Sequence, residues 1–260
     1  MFAHERQERI AAQISDVGRA SVPALAELLD VTQETIRRDL DALVAAGLVR
    51  RVHGGAVDIK DPVITEASLT ERQHQHQMEK QRIAQAALRL LPVTGPASIV
   101  IDAGTTTELF AEALADRPAP VQKLLTITNT IPIAHRLSQS SQFELELLGG
   151  RVRGLTSAAV GPQVTEQLER LRPDIAFIGA NGLHSRFGLS TPDPLEAAIK
   201  TAMVQAARLV AALVDASKLG QETLVQFATL EEIDLLITDA PPPSEIAEAL
   251  KAAAVEVVVA

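Results

Sequence analysis

Residues 32–56 read TQETIRRDLDALVAAGLVRRVHGGA, and this stretch decides the fold of the N-terminal part of the chain. Thr32 is a residue type that caps the start of helices, and Gly47 is a residue type that ends them. Between them the apolar residues recur at i, i+4, i+7 and i+8, the spacing of a helix with one buried face. The residues of this predicted apolar stripe are Ile36, Leu40, Leu43 and Val44.

The polar face of the same predicted helix carries cations. Thr35, Arg37 and Arg38 lie off the apolar stripe, so they are available to contact a DNA groove or a phosphate. The run VRRV at 49–52 then predicts a strand that turns at Gly54-Gly55. A helix followed by a short basic hairpin is typical of the winged helix-turn-helix, so the stretch predicts specific DNA binding.

Two further helices are predicted before this one. The first has Ile10, Ile14 and Val17 at helical spacing, and Ser21 predicts the N-cap of the second. A turn at Asp30-Val31 separates the second helix from the third, and so tight a connection matches helix-turn-helix geometry. The apolar positions of the second helix are Val22, Leu25, Ala26 and Leu29.

The composition limits the chemistry available to the chain. It has 260 residues, a net charge of −9, no cysteine and only 2% aromatic residues. Disulfides, thiolate catalysis and thiolate zinc sites are therefore excluded. No apolar run reaches membrane-spanning length and no secretory signal is evident, so we expect a cytoplasmic protein without a membrane partner.

The negative charge argues against a general basic surface for DNA. Residues 1–57 contain seven Arg and eight acidic residues, whereas residues 32–57 contain four Arg and three acidic residues. The local balance is only 4 − 3 = +1. We therefore expect DNA affinity to come from the placement of a few arginines and from doubling in a dimer.

A polar segment separates the N-terminal part from the rest. We predict a DNA-binding domain at 1–57, a linker at 58–75 and an α/β domain at 76–260, whose first helix lies near 76–91. The sequence HQHQ at 74–77 has no partner ligands nearby, so we expect solvated histidines and no metal.

Beyond residue 97, short apolar strands alternate with amphipathic helices. This pattern predicts a mostly parallel sheet covered by helices on both faces, which is an α/β fold. The predicted helices span 106–116, 130–139, 161–171, 193–207 and 243–253. The predicted strands span 97–102, 124–128, 143–149, 174–179, 209–215, 224–227, 234–239 and 255–259.

Ligands of such sheets bind beyond the carboxyl ends of the strands. The first predicted strand ends in DAGTTT at 102–107, where Gly104 allows a close turn and the threonines offer hydroxyls beside free helix N–H groups. That arrangement predicts a cradle for a phosphate. Thr105–Glu108 also has the sequence of a capping box, which any helix can use.

Later strand ends place more polar residues at the same edge. Each alone is ordinary turn chemistry, but together the glycines, hydroxyls, amides and one lysine indicate a polyol-phosphate pocket. Lys218 either pairs with the phosphate or forms a surface ion pair with Asp215. These strand ends are Thr128-Asn129, Gly149-Gly150, Gly179–Gly182 and Asp215–Lys218.

An enzyme would need a positioned acid or base, for which Asp102, Glu196, Asp215 and Lys218 are candidates. No Ser-His-Asp or nucleophile-elbow spacing occurs. Glu196 and Lys200 are four residues apart, which is the spacing of an ordinary helical ion pair.

Seven motifs together resemble the DeoR family of bacterial transcriptional regulators in order and spacing. The resemblance covers nearly the whole chain. It implies a winged helix-turn-helix followed by a Rossmann-like, ribose-phosphate-isomerase-like sensor domain. Such sensors typically bind a phosphorylated sugar, and the family mostly represses operons of sugar or nucleoside catabolism. The motifs are TIRRDL (35–40), RVHGGA (51–56), DAGTTT (102–107), TNT (128–130), LGG (148–150), FIGANGL (177–183) and DASK (215–218).

Carried over by position, the resemblance implies one set of residues that contact DNA and another set that contact the effector. For Arg37 and Arg38 of the first set, the alternative is ion pairing within the helix, of Glu34 with Arg38 and of Arg37 with Asp41. The implied DNA-binding residues are Thr32, Gln33, Thr35, Arg37, Arg38, Arg51, His53, Gly54 and Gly55. The implied effector-binding residues are Asp102, Gly104, Thr105, Thr106, Thr107, Thr128, Asn129, Gly179, Asn181, Gly182, Lys200, Asp215 and Lys218.

The same comparison argues against catalysis. Ribose-phosphate isomerases carry acidic residues in a DGADE-like motif where this chain has GANGL at 179–183. Where they place a catalytic carboxylate, this chain has Lys200. We therefore predict binding without turnover and no cofactor. The alternative is a sugar-phosphate isomerase with an appended DNA-binding module, and a weaker one is a protein-interaction module.

The leading hypothesis is an effector-responsive repressor. Its expected partners are operator DNA and a sugar-phosphate effector. We expect a homodimer or homotetramer, because paired recognition helices would then meet paired half-sites.

Overall fold

A computed structural model describes residues 3–17, 19–29, 31–52, 55–58, 69–91, 97–117 and 124–260 of the chain. The chain divides into two compact units, Met1–Ser68 and Leu69–Ala260. His53, Gly54 and residues 59–68 of the predicted linker lie outside the described residues.

The first unit packs helices against a small antiparallel sheet. Its strands lie in the order β1-β3-β2, and its core is formed by apolar residues of all three helices, including Ile10, Leu25 and Ile36. The elements are α1 Ala3–Val17, β1 Arg19–Ser21, α2 Val22–Leu29, α3 Gln33–Ala45, β2 Val49–Val52 and β3 Gly55–Asp58.

The predicted ends of α3 are confirmed. The Thr32 side chain accepts a hydrogen bond from the Thr35 amide at 3.2 Å. At the other end Gly47 has φ +67°, and the Leu48 amide donates to the Leu43 carbonyl at 3.0 Å, the Schellman arrangement. The local sequence therefore sets where this helix begins and ends.

Two positions of the predicted apolar stripes are wrong. Val44 is 37% exposed, and Val17 of α1 is also exposed. The buried face of α3 instead includes Asp39, which is 3% exposed. A helical period assigns a face but does not locate its edge, where the neighbouring helix decides which side chain is covered.

The wing contains a strand that the sequence analysis did not predict. β1 pairs with β3 in antiparallel register, with Ser21 opposite Gly55. A Cβ atom at Gly55 would lie 2.1 Å from the Ala20 carbonyl oxygen, so only glycine allows the two strands this close. Gly55 is therefore a packing position, whatever else it contacts.

The second unit is built on a seven-stranded sheet in the order β15-β14-β12-β9-β4-β5-β6, in which every pair is parallel. The predicted α/β fold is thus present. The elements are α4 Leu69–His74, α5 Gln77–Ala87, β4 Ser98–Ile101, α6 Thr105–Ala115, β5 Leu124–Thr128, α7 Ile131–Ser138, β6 Phe143–Leu147, β7 Arg151–Arg153, β8 Ala158–Val160, α8 Pro162–Glu169, β9 Ile175–Gly179, β10 Gly182–His184, β11 Gly188–Thr191, α9 Pro194–Ala206, β12 Leu209–Leu213, β13 Val225–Ala228, β14 Leu235–Thr238, α10 Ser244–Ala252 and β15 Glu256–Val259.

Two details of the prediction are corrected. The segment at 224–227 was expected among the strands of the parallel sheet, but β13 pairs antiparallel with β11 in a separate sheet, β10-β11-β13. The predicted linker contains α4, a helix of six residues too short for hydrophobic periodicity to detect. A further hairpin joins β7 and β8.

The main sheet is covered on both faces. Val100 of β4 packs into one apolar cluster, whereas its neighbours Ile99 and Ile101 pack into the other. This burial on both sides explains the uninterrupted apolar strands in the sequence. Within the described residues, no helix is long and apolar enough to cross a membrane.

Candidate functional site

The outer face of α3 presents two arginines. The side chain of Arg37 is 52% exposed and that of Arg38 is 81% exposed. Both lie 3.6 Å from the Glu34 carboxylate, so the expected Glu34–Arg38 pair forms. Exposed pairs of this kind contribute little, so DNA phosphates or bases can replace Glu34 as partner. Gln33 is also exposed, and Thr35 is partly exposed.

The inner face of α3 is held by a buried carboxylate. Asp39 accepts hydrogen bonds from Arg6 Nη2 at 3.1 Å and from Gln7 Nε2 at 3.1 Å, both on α1. Arg6 Nε also donates to Asp39. Sequence reasoning missed this contact, because its partners are 32 and 33 residues away. It fixes the orientation in which α3 presents its arginines.

The strands of the wing hairpin are β2 and β3, which pair antiparallel. Arg51 belongs to β2 and lies opposite Ala56 of β3. Gly55 is buried against β1. The DNA contacts predicted for His53 and Gly54 fall outside the described residues.

In the second unit, a pocket lies where the sheet changes direction. From β4 the chain adds β5 and β6 on one side, while β9, β12, β14 and β15 lie on the other. The loops after β4 and β9 therefore diverge and leave a cleft, as at the ligand sites of other open parallel sheets. The lining residues are Arg72, Gln75, His76, Lys80, Ala103, Gly104, Thr105, Thr106, Gly179, Ala180, Asn181, Glu196, Lys200, Asp215 and Lys218.

The floor of this pocket is a buried ion pair. The Lys200 ammonium bonds Asp102 Oδ2 and donates to the Gly179 carbonyl at 2.9 Å, while the Gly179 amide donates to Asp102 Oδ2 at 3.1 Å. Burial raises the pKa of Asp102, and the charge of Lys200 opposes that effect. Asp102 Oδ2 is therefore already engaged by Lys200 and by the Gly179 amide.

A second acidic residue is also neutralised. Glu196 of α9 accepts hydrogen bonds from Arg153 Nη1 at 3.1 Å and from the Thr156 hydroxyl. Arg153 Nε also lies 3.0 Å from Asp193, the N-cap of α9. Glu196 and Lys200 do not form the expected helical ion pair with each other, because each bonds a partner far away in the sequence instead.

Two further lysines give part of the pocket lining, here called the cationic wall, its positive charge. The side-chain ammonium of Lys218, in the turn after β12, forms no hydrogen bond or ion pair with any residue that the structure describes. The alternative ion pair with Asp215 is thus not formed, because Asp215 Oδ1 instead accepts from the Ser217 amide at 3.2 Å and from its hydroxyl. Lys80 of α5 is only 4% exposed and lines the same wall.

The helix α6 begins at the pocket. Gly104 is its N-cap and forms no side-chain cap, and Thr105 and Thr106 line the cavity. The first amides of an α-helix have no partner within the helix, and its N-terminus carries partial positive charge. The predicted phosphate cradle therefore faces the pocket.

Five predicted effector residues are not among the lining residues: Asp102, which lies below the pocket, and four others. The Thr107 hydroxyl donates to the Asp102 carbonyl at 2.7 Å, and the Thr128 hydroxyl donates to the Ile101 carbonyl at 2.8 Å. Asn129 Nδ2 donates to the Ala159 carbonyl at 3.1 Å. A Cβ atom at Gly182 would lie 2.4 Å from the Gln221 carbonyl oxygen. These residues hold the loops around the pocket rather than lining it.

Sequence reasoning missed four polar lining side chains, Arg72, Gln75, His76 and Lys80, and it considered Glu196 only as a possible acid or base. The four come from the segment predicted as a linker and from the start of α5. Nothing in a polar stretch of sequence shows that it folds back over strand ends far along the chain.

A winged helix-turn-helix unit and a parallel α/β unit with a cation-lined pocket define a two-domain, DNA-binding regulator. Comparison with known proteins identifies the family of regulators to which the chain belongs. Residues 6–61 match the DeoR-like helix-turn-helix domain, and residues 75–240 match the DeoR C terminal sensor domain. The chain belongs to the DeoR family of transcriptional regulators. As in its relatives, it is a regulator and not an enzyme.

The similarity to individual regulators extends over nearly the full chain. It is 39% identical to the HTH-type transcriptional regulator GlpR of Haloferax volcanii over 259 residues, which cover 99% of this chain and 98% of that protein. It is 30% identical over 246 residues to the glycerol-3-phosphate regulon repressor of Escherichia coli, covering 95% and 94%. Among solved structures, ribose 5-phosphate isomerase A of Methanocaldococcus jannaschii matches 56% of this chain and 55% of that chain, with 20% identity and a TM-score of 0.41.

Proposed function

We propose that this regulator represses an operon of sugar or sugar-phosphate metabolism and that a phosphorylated sugar, bound in the pocket of the second unit, controls its affinity for the operator. The observation that carries the proposal is the convergence of Lys80 and Lys218 with the start of α6 in one pocket. The names of the relatives, which include a glycerol-3-phosphate regulon repressor, support the same class of metabolite.

The phosphate is expected at the cationic wall. Lys218 has no competing partner among the described residues, and the free amides at the start of α6 favour an anion. The combination of a helix N-terminus and a lysine is a common way to bind a phosphate.

The sugar hydroxyls are expected at the uncharged and acidic groups of the lining. Glu196 and Asn181 line the same pocket, and both offer oxygen atoms that can accept hydrogen bonds. Asn181 Oδ1 already accepts from the Thr191 hydroxyl at 3.1 Å, which fixes the orientation of its amide. The Asn181 Nδ2 group can then donate a hydrogen bond to a sugar hydroxyl.

Operator binding is assigned to α3. Arg37 and Arg38 would contact bases or phosphates in the major groove, with the wing beside it. A homodimer or homotetramer would double these few contacts, which the small local charge of the unit requires. Light scattering coupled to size-exclusion chromatography would measure the oligomeric state.

Mobility-shift titration with the DNA upstream of the protein's own gene tests the proposal. We expect a specific shift at modest salt, which saturating sugar phosphate weakens and the same sugar without phosphate leaves unchanged. The double variant Arg37→Ala, Arg38→Ala should remove the shift, whereas Arg136→Ala, an exposed arginine on α7, should keep it. A shift that persists in the double variant would contradict the assignment of α3.

A coupled assay of aldose–ketose phosphate conversion provides the complementary measurement. The Asp102–Lys200 pair leaves no free base at the pocket floor, so we expect no turnover above background. If a sugar phosphate binds but never alters the operator affinity, the effector part of the proposal fails while the DNA-binding part stands.

A further inference from the structure

Asp239 directly follows β14, the strand that lies beside β12 in the main sheet. Its side chain is only 9% exposed, and its Oδ1 atom accepts a hydrogen bond from the Ala216 amide at 2.7 Å. Ala216 is the first residue of the turn Ala216–Lys218, which brings Lys218 to the pocket. Asp239 is not among the described residues that line the pocket, so its contact with the site runs through this turn.

The polar groups of the turn are largely occupied within the chain. The Ser217 amide donates to Asp215 Oδ1 at 3.2 Å, as does its hydroxyl, and the Lys218 amide donates to the Asp215 carbonyl at 3.0 Å. With the bond from Ala216 to Asp239, all three amides of the turn have acceptors. The group that the turn can offer to an anion is therefore the Lys218 ammonium.

Asp239 also faces a cation. Arg82 Nη2 of α5 lies 3.7 Å from Asp239 Oδ2, and the Arg82 side chain is 55% exposed. An exposed ion pair of this kind contributes little, whereas a hydrogen bond to a charged acceptor contributes more. The hydrogen bond from Ala216, rather than the ion pair with Arg82, is therefore the contact that fixes the turn.

We propose that Asp239 is a positioning residue of the effector site: by accepting the Ala216 amide, it sets the place from which the Lys218 ammonium meets the phosphate. The proposal rests on the proposed effector function. A purely electrostatic role would have the opposite sign, because a carboxylate near the turn repels a phosphate. A carboxylate that holds the turn in place instead aids phosphate binding.

The variants Asp239→Asn and Asp239→Ala separate these two roles. Both remove the negative charge, but the Asn side chain keeps an oxygen acceptor for the Ala216 amide. In calorimetric titration with inorganic phosphate, we expect Asp239→Asn to bind within about twofold of wild type and Asp239→Ala to bind about tenfold or more weakly, the usual effect of losing a hydrogen bond to a charged group. Equal phosphate affinities of the two variants would overturn the proposal.

A double-mutant cycle tests whether Asp239 acts through Lys218. In the Lys218→Gln background, Asp239→Ala should weaken phosphate binding by less than about twofold further, because the turn no longer carries a cation. A loss as large as in the wild-type background would overturn the proposal, since Asp239 would then support the fold around the pocket without acting through Lys218.

Amide exchange of the full-length protein, followed by NMR without ligand, measures how firmly the turn is held. The Ala216 amide should exchange slowly in wild type, in Asp239→Asn and in the control Arg82→Gln, but about tenfold or more faster in Asp239→Ala. Fast exchange of this amide in wild type would overturn the proposal even if Asp239→Ala does not fold. Absence of phosphate binding by wild type would contradict the proposed phosphate site itself, whereas phosphate binding that is equal in all Asp239 variants would contradict only the role of Asp239.

Discussion

At the scale of single residues, the pair of Asp102 and Lys200 explains why the pocket has no free carboxylate at its floor that could act as a catalytic base. Both side chains are buried, and each is the main charged partner of the other. Together with the Gly179 backbone they form a closed network below the pocket. A carboxylate held in this way supports the loops around the pocket instead of accepting a proton from a ligand.

Breaking this pair should destabilise the second unit. Lys200→Met leaves Asp102 buried without its cation, and such losses cost about 3–5 kcal/mol. Urea unfolding of the variant at neutral pH would measure the change in the free energy of unfolding. Lys251→Met on α10 is the matched control and should stay within about 0.5 kcal/mol of wild type. A cost below about 1 kcal/mol for Lys200→Met would contradict a structural role for the pair.

Asp174 gives a prediction about acid stability. Its carboxylate accepts hydrogen bonds from the Ser98 hydroxyl at 2.8 Å and the Ser98 amide at 2.9 Å, and these lower its pKa below the ordinary value of 3.8. A lowered folded-state pKa contributes stability above pH 3.8, and that contribution is lost as the pH falls through the folded-state value.

Ser98→Ala removes the hydroxyl, so the pKa of Asp174 should move back toward its ordinary value. The variant should be less stable than wild type at pH 7 by roughly 0.5–1 kcal/mol, because the contact is half exposed. The difference should shrink as the pH drops below about 3.8. Thermal unfolding from pH 7 to pH 2 would measure it, and a difference that grows toward low pH would contradict the assignment.

At the scale of elements, what the sequence predicts best is local. The N-cap Thr32 and the C-terminal Gly47 of α3 are visible in the sequence, because each bonds atoms within a few residues of itself. β1, in contrast, is three residues long and exists only because β3 pairs with it. Its sequence, RAS, has no periodicity to detect.

Two glycines in the first unit should respond differently to alanine. Gly47→Ala places its Cβ in open space but keeps a positive φ, which costs about 1 kcal/mol. Gly55→Ala would bring its Cβ to 2.1 Å from the Ala20 carbonyl oxygen, so β1 and β3 must separate. We expect a cost of about 2 kcal/mol or more for Gly55→Ala, in the range of forced overpacking.

Chemical denaturation of the two variants side by side would measure these costs. Gly55→Ala should also weaken operator binding, since the wing would be displaced. If Gly55→Ala were as stable as wild type yet bound no DNA, Gly55 would be a DNA contact and not a packing position.

At the scale of the whole molecule, periodicity predicted two units, because each buries its own apolar pattern. It did not predict the wall of the pocket. Arg153 reaches Glu196 across 43 residues, and Lys200 reaches Asp102 across 98. Such contacts leave no trace in local spacing. Polar strand ends indicated where the pocket lies, but several of their side chains turned out to bond the backbone around it, as the hydroxyls of Thr107 and Thr128 do.

The coupling between the two binding activities leads to a quantitative prediction. If a sugar phosphate changes the operator Kd by some factor, the operator must change the sugar-phosphate Kd by the same factor, because the two binding steps close a thermodynamic cycle. Couplings of this kind are typically about 5–150-fold. Fluorescence anisotropy of labelled operator, with and without saturating ligand, gives the first factor. Calorimetric titration of the ligand, with and without operator duplex, gives the second.

The Arg37→Ala, Arg38→Ala variant is the control for this cycle. It should bind the sugar phosphate with an affinity that added operator leaves unchanged, because it no longer holds DNA. Two unequal factors in the wild-type protein would mean that a further equilibrium is coupled to the two binding steps. Subunit association is the natural candidate, since a ligand that changes the oligomeric state changes operator binding without acting on each chain alone. Repeating both titrations over a range of protein concentrations would distinguish the two mechanisms, because only association depends on that concentration.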